Sequence, residues 1–273
     1  MSSNYNNPYP NSAYPNNAYP NSAYPNNAYP NNAANPYYNP PPNQNPYINA
    51  YAQSPILVQS NVLNQTYMWM TGGLCLTAVI ALAVFQSGLL LTLNPIVWFG
   101  LIIAELALVF VISAAINRIS PAMATSLFLA YAALNGVTLS FIFAYYTDTS
   151  ITATFFVTAG MFGIVSLYGY TTKRDLTGIG SIAIMALVGL ILASIVNMFL
   201  ASPGLYWLIT YAGVIIFIAL TAYDTQKIKR WSQSVPSSDT VTIQRLGILG
   251  ALTLYLDFIN LFLFILRIMG RRR

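Results

Sequence analysis

The chain predicts an all-α polytopic membrane protein of seven transmembrane helices, preceded by a disordered tail. Three observations predict it. Charged residues make up 6% of the 273 and apolar residues 56%, outside the range of a soluble domain. Seven apolar runs reach the length of about 20 residues that a helix needs to cross about 30 Å of hydrocarbon. None of these runs alternates with period two, which excludes a membrane barrel.

Residues 1–65 form a low-complexity region. Tyr-Pro-Asn-(Ser/Asn)-Ala repeats from Tyr9 to Ala33, then gives way to Asn-Pro-Tyr-Tyr-Asn-Pro-Pro-Pro. Pro in every repeat forbids a regular helix, and almost no aliphatic side chains are present to bury. Extended, partly polyproline II chain is the expected state, either as a plain disordered tail or as a Tyr/Pro-rich region for partners.

The membrane domain is expected over 66–270. Its spans are read at about 67–91, 96–116, 122–146, 151–171, 179–201, 205–225 and 246–268. Gln86-Ser87-Gly88 blurs the end of span one. Leu93-Asn94-Pro95 forms the turn to span two, with Pro95 suited to a helix start. The N-terminus carries no basic region followed by an apolar stretch, so span one is expected to act as its own insertion signal. Cys75 is the single cysteine, which rules out an intramolecular disulfide. Histidine is absent. That excludes histidine metal ligands and histidine general bases.

Loop charge predicts orientation. Arg118 follows span two, Lys173 and Arg174 follow span four, and Lys227, Lys229, Arg230 and Arg245 follow span six. The opposite loops, Asn94-Pro95, Thr147–Ser150 and Ser202-Pro203-Gly204, have no Lys or Arg. The positive-inside rule then puts the N-terminus in the cytoplasm. The terminal Gly270-Arg271-Arg272-Arg273 disagrees. Either a basic tail lies beyond a complete seventh span, or the last segment is re-entrant. Seven spans are favoured, because three loops outweigh one tail. Whether the membrane is bacterial or eukaryotic stays open.

Six polar groups fall within or at the edge of the spans: Glu105, Arg118, Asn197, Asp224, Asp257 and Asn260. A mid-helix Asp costs roughly 2.5–3.5 kcal/mol on insertion scales, and the last two spans each carry one. Asp257 lies near the midplane and Asp224 toward the cytoplasmic end. Asp257 and Asn260 are three apart and share a helix face. Arg118 reads either as an interfacial anchor or as a partner for Asp224 across helices. Asp224 also reads as an interfacial acid near Lys227. Asn197 and Asn260 suit interhelical hydrogen bonds of about 0.6 kcal/mol each. Tyr145, Tyr146, Tyr168, Tyr170, Tyr206, Tyr211, Trp69 and Trp207 suit interface belts. Gly247 and Gly250 suit close packing at the start of span seven. No phosphate loop, dinucleotide fingerprint or nucleophile elbow is present.

Ala222-Tyr223-Asp224-Thr225-Gln226-Lys227-Ile228, with Leu252-Thr253-Leu254-Tyr255-Leu256-Asp257-Phe258-Ile259-Asn260-Leu261-Phe262, resembles the C-terminal pattern of the Bax inhibitor family. Ala104-Glu105-Leu106 and Ala130-Tyr131-Ala132-Ala133-Leu134-Asn135-Gly136 resemble it as well. The resemblance implies a last helix central to the other six and a pH-sensitive calcium leak with a stress or cell-death role. It implies that Asp224 and Asp257 are the proton sensor, with Glu105 and Arg118 as the second-span acid and base. Two carboxylates at low dielectric do not both ionise cheaply and titrate as a pair. Calcium, the expected permeant or regulatory ion, prefers hard oxygen ligands, so an ionised pair beside Glu105, Asn197 and Asn260 is expected to hold it transiently.

An enzyme is not expected. Paired aspartates in adjacent spans are also found in intramembrane aspartyl proteases, but Leu254-Tyr255-Leu256-Asp257 stands where those have Gly-x-Gly-Asp. An adaptor that restrains other membrane proteins, and proton-coupled transport of a small solute, are the other readings. The lipid bilayer is an expected partner; a resident cofactor and nucleic acid are not.

Overall fold

The computed structural model describes residues 55–89, 94–236 and 238–273. The expected disordered tail lies outside these residues as far as residue 54. The helices are α1 (Pro55–Gln86), α2 (Pro95–Ala115), α3 (Pro121–Leu139), α4 (Phe141–Tyr145), α5 (Asp148–Thr171), α6 (Thr177–Leu200), α7 (Pro203–Gln233) and α8 (Thr240–Met269). No strand occurs among the described residues. With α3 and α4 counted as one span, seven segments among the described residues are long and apolar enough to cross a membrane.

One local rule starts three of them. Asn94, Ser120 and Ser202 each cap a helix by accepting a backbone N–H, from Ile96 (3.1 Å), Met123 (3.2 Å) and Leu205 (3.4 Å). Each cap is followed by a proline, whose missing N–H is no loss at the first helical position. α1 also starts on a proline, well before the boundary expected at 66. The third span differs from the single helix read in the sequence. Ser140 interrupts it, turning its hydroxyl back onto the carbonyl of Val137. Such back-bonding competes with the helical ladder.

α8 is the centre of the bundle. Its spanning window is 72% buried, against 6% for α2, so α8 serves as the core and α2 faces outward. It packs against α1, α2, α3, α5 and α7, while α6 packs on α7. Leu254, Tyr255 and Phe258 of α8 share one apolar cluster with Ile112 of α2 and Phe128 and Tyr131 of α3. Farther along α8, Leu261, Phe264 and Ile265 share a second cluster with Phe217 of α7 and with Ala183 and Leu190 of α6. Gly250 permits the close approach of α1, since a Cβ there would lie 2.7 Å from Thr66 Oγ1. Phe99, Phe110, Phe156 and Phe199 stand exposed on the perimeter. An apolar belt of that kind fits a lipid surround rather than water.

The seventh span is complete. The backbone N–H of Thr147 donates to Arg271 O (3.0 Å) and that of Arg273 to Tyr145 O (3.1 Å). Arg273 Nη2 lies 2.7 Å from Asp148 Oδ1. The basic tail is therefore stitched to the turn before α5, at the end of the bundle opposite the Thr172–Leu176 turn. A re-entrant last segment would return it to the other end.

Candidate functional site

Burial singles out Asp257. It is 4% exposed on the central helix, and its Oδ2 is buried with no hydrogen-bond partner among the described residues. Asp224, on α7, is 8% exposed. Its Oδ1 lies 3.6 Å from Lys227 Nζ. Helical spacing makes this pair, since residues three apart share a face. The Lys227 ammonium also rests 4.9 Å from the Trp231 ring centroid and 5.6 Å from that of Tyr223. Beside Asp224, the hydroxyls of Thr225 and Ser166 meet at 3.4 Å, linking α7 to α5. Gly169 lets the two helices come this close, because any Cβ there would strike the Ala222 carbonyl.

Below Asp224, the polar end of α7 holds the turn between α5 and α6. Gln226 Oε1 accepts from the Leu176 N–H (2.9 Å), and its Nε2 donates to Arg174 O (2.8 Å). Lys229 donates to Tyr170 O (2.7 Å). Arg230 pairs with Asp175 and donates to Thr177. The Thr177 hydroxyl, then Arg230 and the Thr177 N–H, hold the Asp175 carboxyl below the usual carboxylate range.

The other sequence candidates do not gather around the pair. Arg118 is exposed in the turn after α2 and makes no ion pair among the described residues. It is not the counter-ion of Asp224. Lys227 takes that place with less ordering cost, being on the same helix. Beside Arg118, Arg245 Nε donates to Ile119 O (2.8 Å), which ties α8 to that turn. Asn197 is a helix terminator rather than core glue. Its Oδ1 accepts from the Ser202 N–H (3.0 Å), where Ala201 adopts a left-handed φ of 49°.

Glu105 and Asn260 belong to a second polar cluster. The Thr138 hydroxyl (2.7 Å) and Asn135 Nδ2 (3.3 Å) donate to Glu105. Tyr255 OH donates to Asn135 Oδ1 (3.2 Å) and meets Thr77 Oγ1 at 2.7 Å. Asn260 donates to Leu256 O (2.8 Å) in its own helix and lines a cavity with Glu105. The cage expected around the pair is thus split in two. Asp224 and Asp257 alone fall short of the about six to eight oxygens that calcium takes at a resident site.

These features define a seven-helix membrane protein whose central helix carries one buried aspartate and whose packed neighbour carries a second. Residues 59–273 match the family described as inhibitor of apoptosis-promoting Bax1, and the chain belongs to that family. It is 53% identical over 234 residues to inner membrane protein YbhL of Escherichia coli strain K12, across 83% of this chain and 100% of that one. It is 46% identical over 221 residues to an uncharacterized protein of Borreliella burgdorferi, across 80% and 95% of the two chains. Uncharacterized protein RP147 of Rickettsia prowazekii is 43% identical over 211 residues, across 77% and 89%. The resemblance carried by the paired aspartate motifs therefore holds.

Proposed function

We propose that the protein is a pH-sensitive calcium leak in which Asp224 and Asp257 form the proton sensor. The observation that carries this reading is the bare, buried Asp257 Oδ2 on the central helix, with a second buried carboxylate, Asp224, on the helix packed against it. An unpaired charge at such depth is costly, so a proton or a passing cation has a large effect there. Protonation neutralises the pair and favours helix-to-helix packing. Ionisation favours entry of a divalent cation. Lys227 is the internal cation that competes for Asp224. The name of the Escherichia coli relative supports a bacterial inner membrane, and loop charge supports a cytoplasmic N-terminus.

Calcium and proton flux of the full chain in proteoliposomes across pH tests the reading. Wild-type flux should vary with pH, and Asp257→Asn should flatten that variation. Absence of calcium flux in the wild type at every pH would remove the reading.

A further inference from the structure

The Glu105 cluster opens onto a cavity of about 450 Å³ between α2, α3 and α8. That volume lies in the range of small-molecule sites, which combine apolar walls with a few convergent polar groups. Asp257 does not line it. α2, which carries Glu105 at about its midpoint, is the span least buried in the bundle. The cavity is therefore placed near mid-bilayer, beside the helix with the most lipid contact.

Its one acidic group is an acceptor. Glu105 offers two carboxylate oxygens, each already oriented by a donor from α3. Asn260 spends one Nδ2 hydrogen on Leu256 O, which leaves its carbonyl oxygen and the second hydrogen to offer. A molecule that engages Glu105 must therefore donate to it. The walls include Trp98, Tyr131 and Phe141, and aromatic faces attract cations within about 6 Å. A simple hydrated metal ion gains nothing from the apolar remainder of the wall. A neutral lipid chain leaves the acceptors without partners.

We propose that this cavity binds an amphiphilic amine reaching it from the bilayer. Its protonated amino group lies on Glu105 and Asn260, and its apolar body lies against Trp98, Tyr131 and Phe141. The site is separate from the aspartate pair and does not depend on calcium transport.

The test is direct binding to the full chain in lipid nanodiscs, with phenylbutylamine as probe and phenylbutanol as its neutral counterpart. The amine should bind at least about tenfold more tightly than the alcohol, as a charge-assisted hydrogen bond implies. Glu105→Gln should remove that preference. Ile102→Trp, on an exposed stretch of α2 that also lines the cavity, should block both probes while leaving thermal unfolding near wild type. Equal affinity for amine and alcohol, or an amine affinity unchanged in both variants, overturns the proposal. Loss of binding in Glu105→Gln alone counts in favour only if that variant unfolds at the wild-type temperature; full binding by Ile102→Trp counts against the cavity.

Discussion

Lys227 Nζ lies 3.6 Å from Asp224 Oδ1, one turn along the same helix. The cation nearest the aspartate pair is thus supplied by the motif that supplies the acid. Arg118, on a different helix end, is exposed and outside this arrangement. Lys227→Gln should therefore strengthen divalent-cation binding several-fold, because it removes a competing positive charge at close range. Arg118→Ala should leave binding near wild type. Isothermal titration of calcium into both variants checks this. Equal effects from the two substitutions would contradict the assignment of Lys227.

The Asp175 carboxyl is held below the ordinary range chiefly by Thr177, with help from Arg230. A depressed folded-state value means that its stabilisation is complete above the unfolded value of about 3.9 and is lost as pH falls through the folded value. Asp175→Asn should lower the unfolding temperature at neutral pH by a small amount, since the group is exposed. The difference from wild type should vanish in strong acid. A gap that persists there would point to a steric cause.

Gly169 and Gly160 occupy the same helix. A side chain at Gly169 meets the Ala222 backbone, whereas nothing lies within 4 Å of one at Gly160. Gly169→Ala should destabilise by about 1–3 kcal/mol through overpacking. Gly160→Ala should be neutral or slightly stabilising. Thermal or denaturant unfolding in detergent compares them.

The C-terminal tail is held by main-chain hydrogen bonds as well as one exposed ion pair. Removing residues 271–273 should lower the unfolding temperature, while Asp148→Asn alone should change it little. A cysteine placed after Arg273 should label from the same face as one at 148, and from the face opposite 173. Shared labelling of the 173 and C-terminal sites would contradict a complete seventh span.

Much of this fold is legible in the sequence, because lipid imposes long uninterrupted apolar helices. The seven runs appear directly. The extra turns of α7 and α8 do not, because Gln226–Gln233 and Thr240–Arg245 are polar helix outside the apolar runs. The break at Ser140 lacks any Gly or Pro signal. Among the site candidates, depth in the span pointed to Asp257 for a physical reason: no aqueous edge is near it. Grouping was harder to read. Asn197 looked like mid-span glue because its run continues to Leu200, and only the left-handed Ala201 shows it closing a helix. Asn260 shares a broad face with Asp257 yet turns toward Glu105, since α8 is surrounded and each of its sides meets a different neighbour. Asn135, Thr138 and Tyr255 pass as ordinary span residues until the folded chain joins them to Glu105.

The central claim is that Asp224 and Asp257 sense pH together. The most direct measurement is calcium flux through the Asp224→Asn, Asp257→Asn double variant in proteoliposomes, scanned across pH against wild type. With the sensor removed, flux should become independent of pH while the protein remains folded. A double variant that retains the wild-type pH profile would contradict the account and leave the pair a structural feature of the bundle.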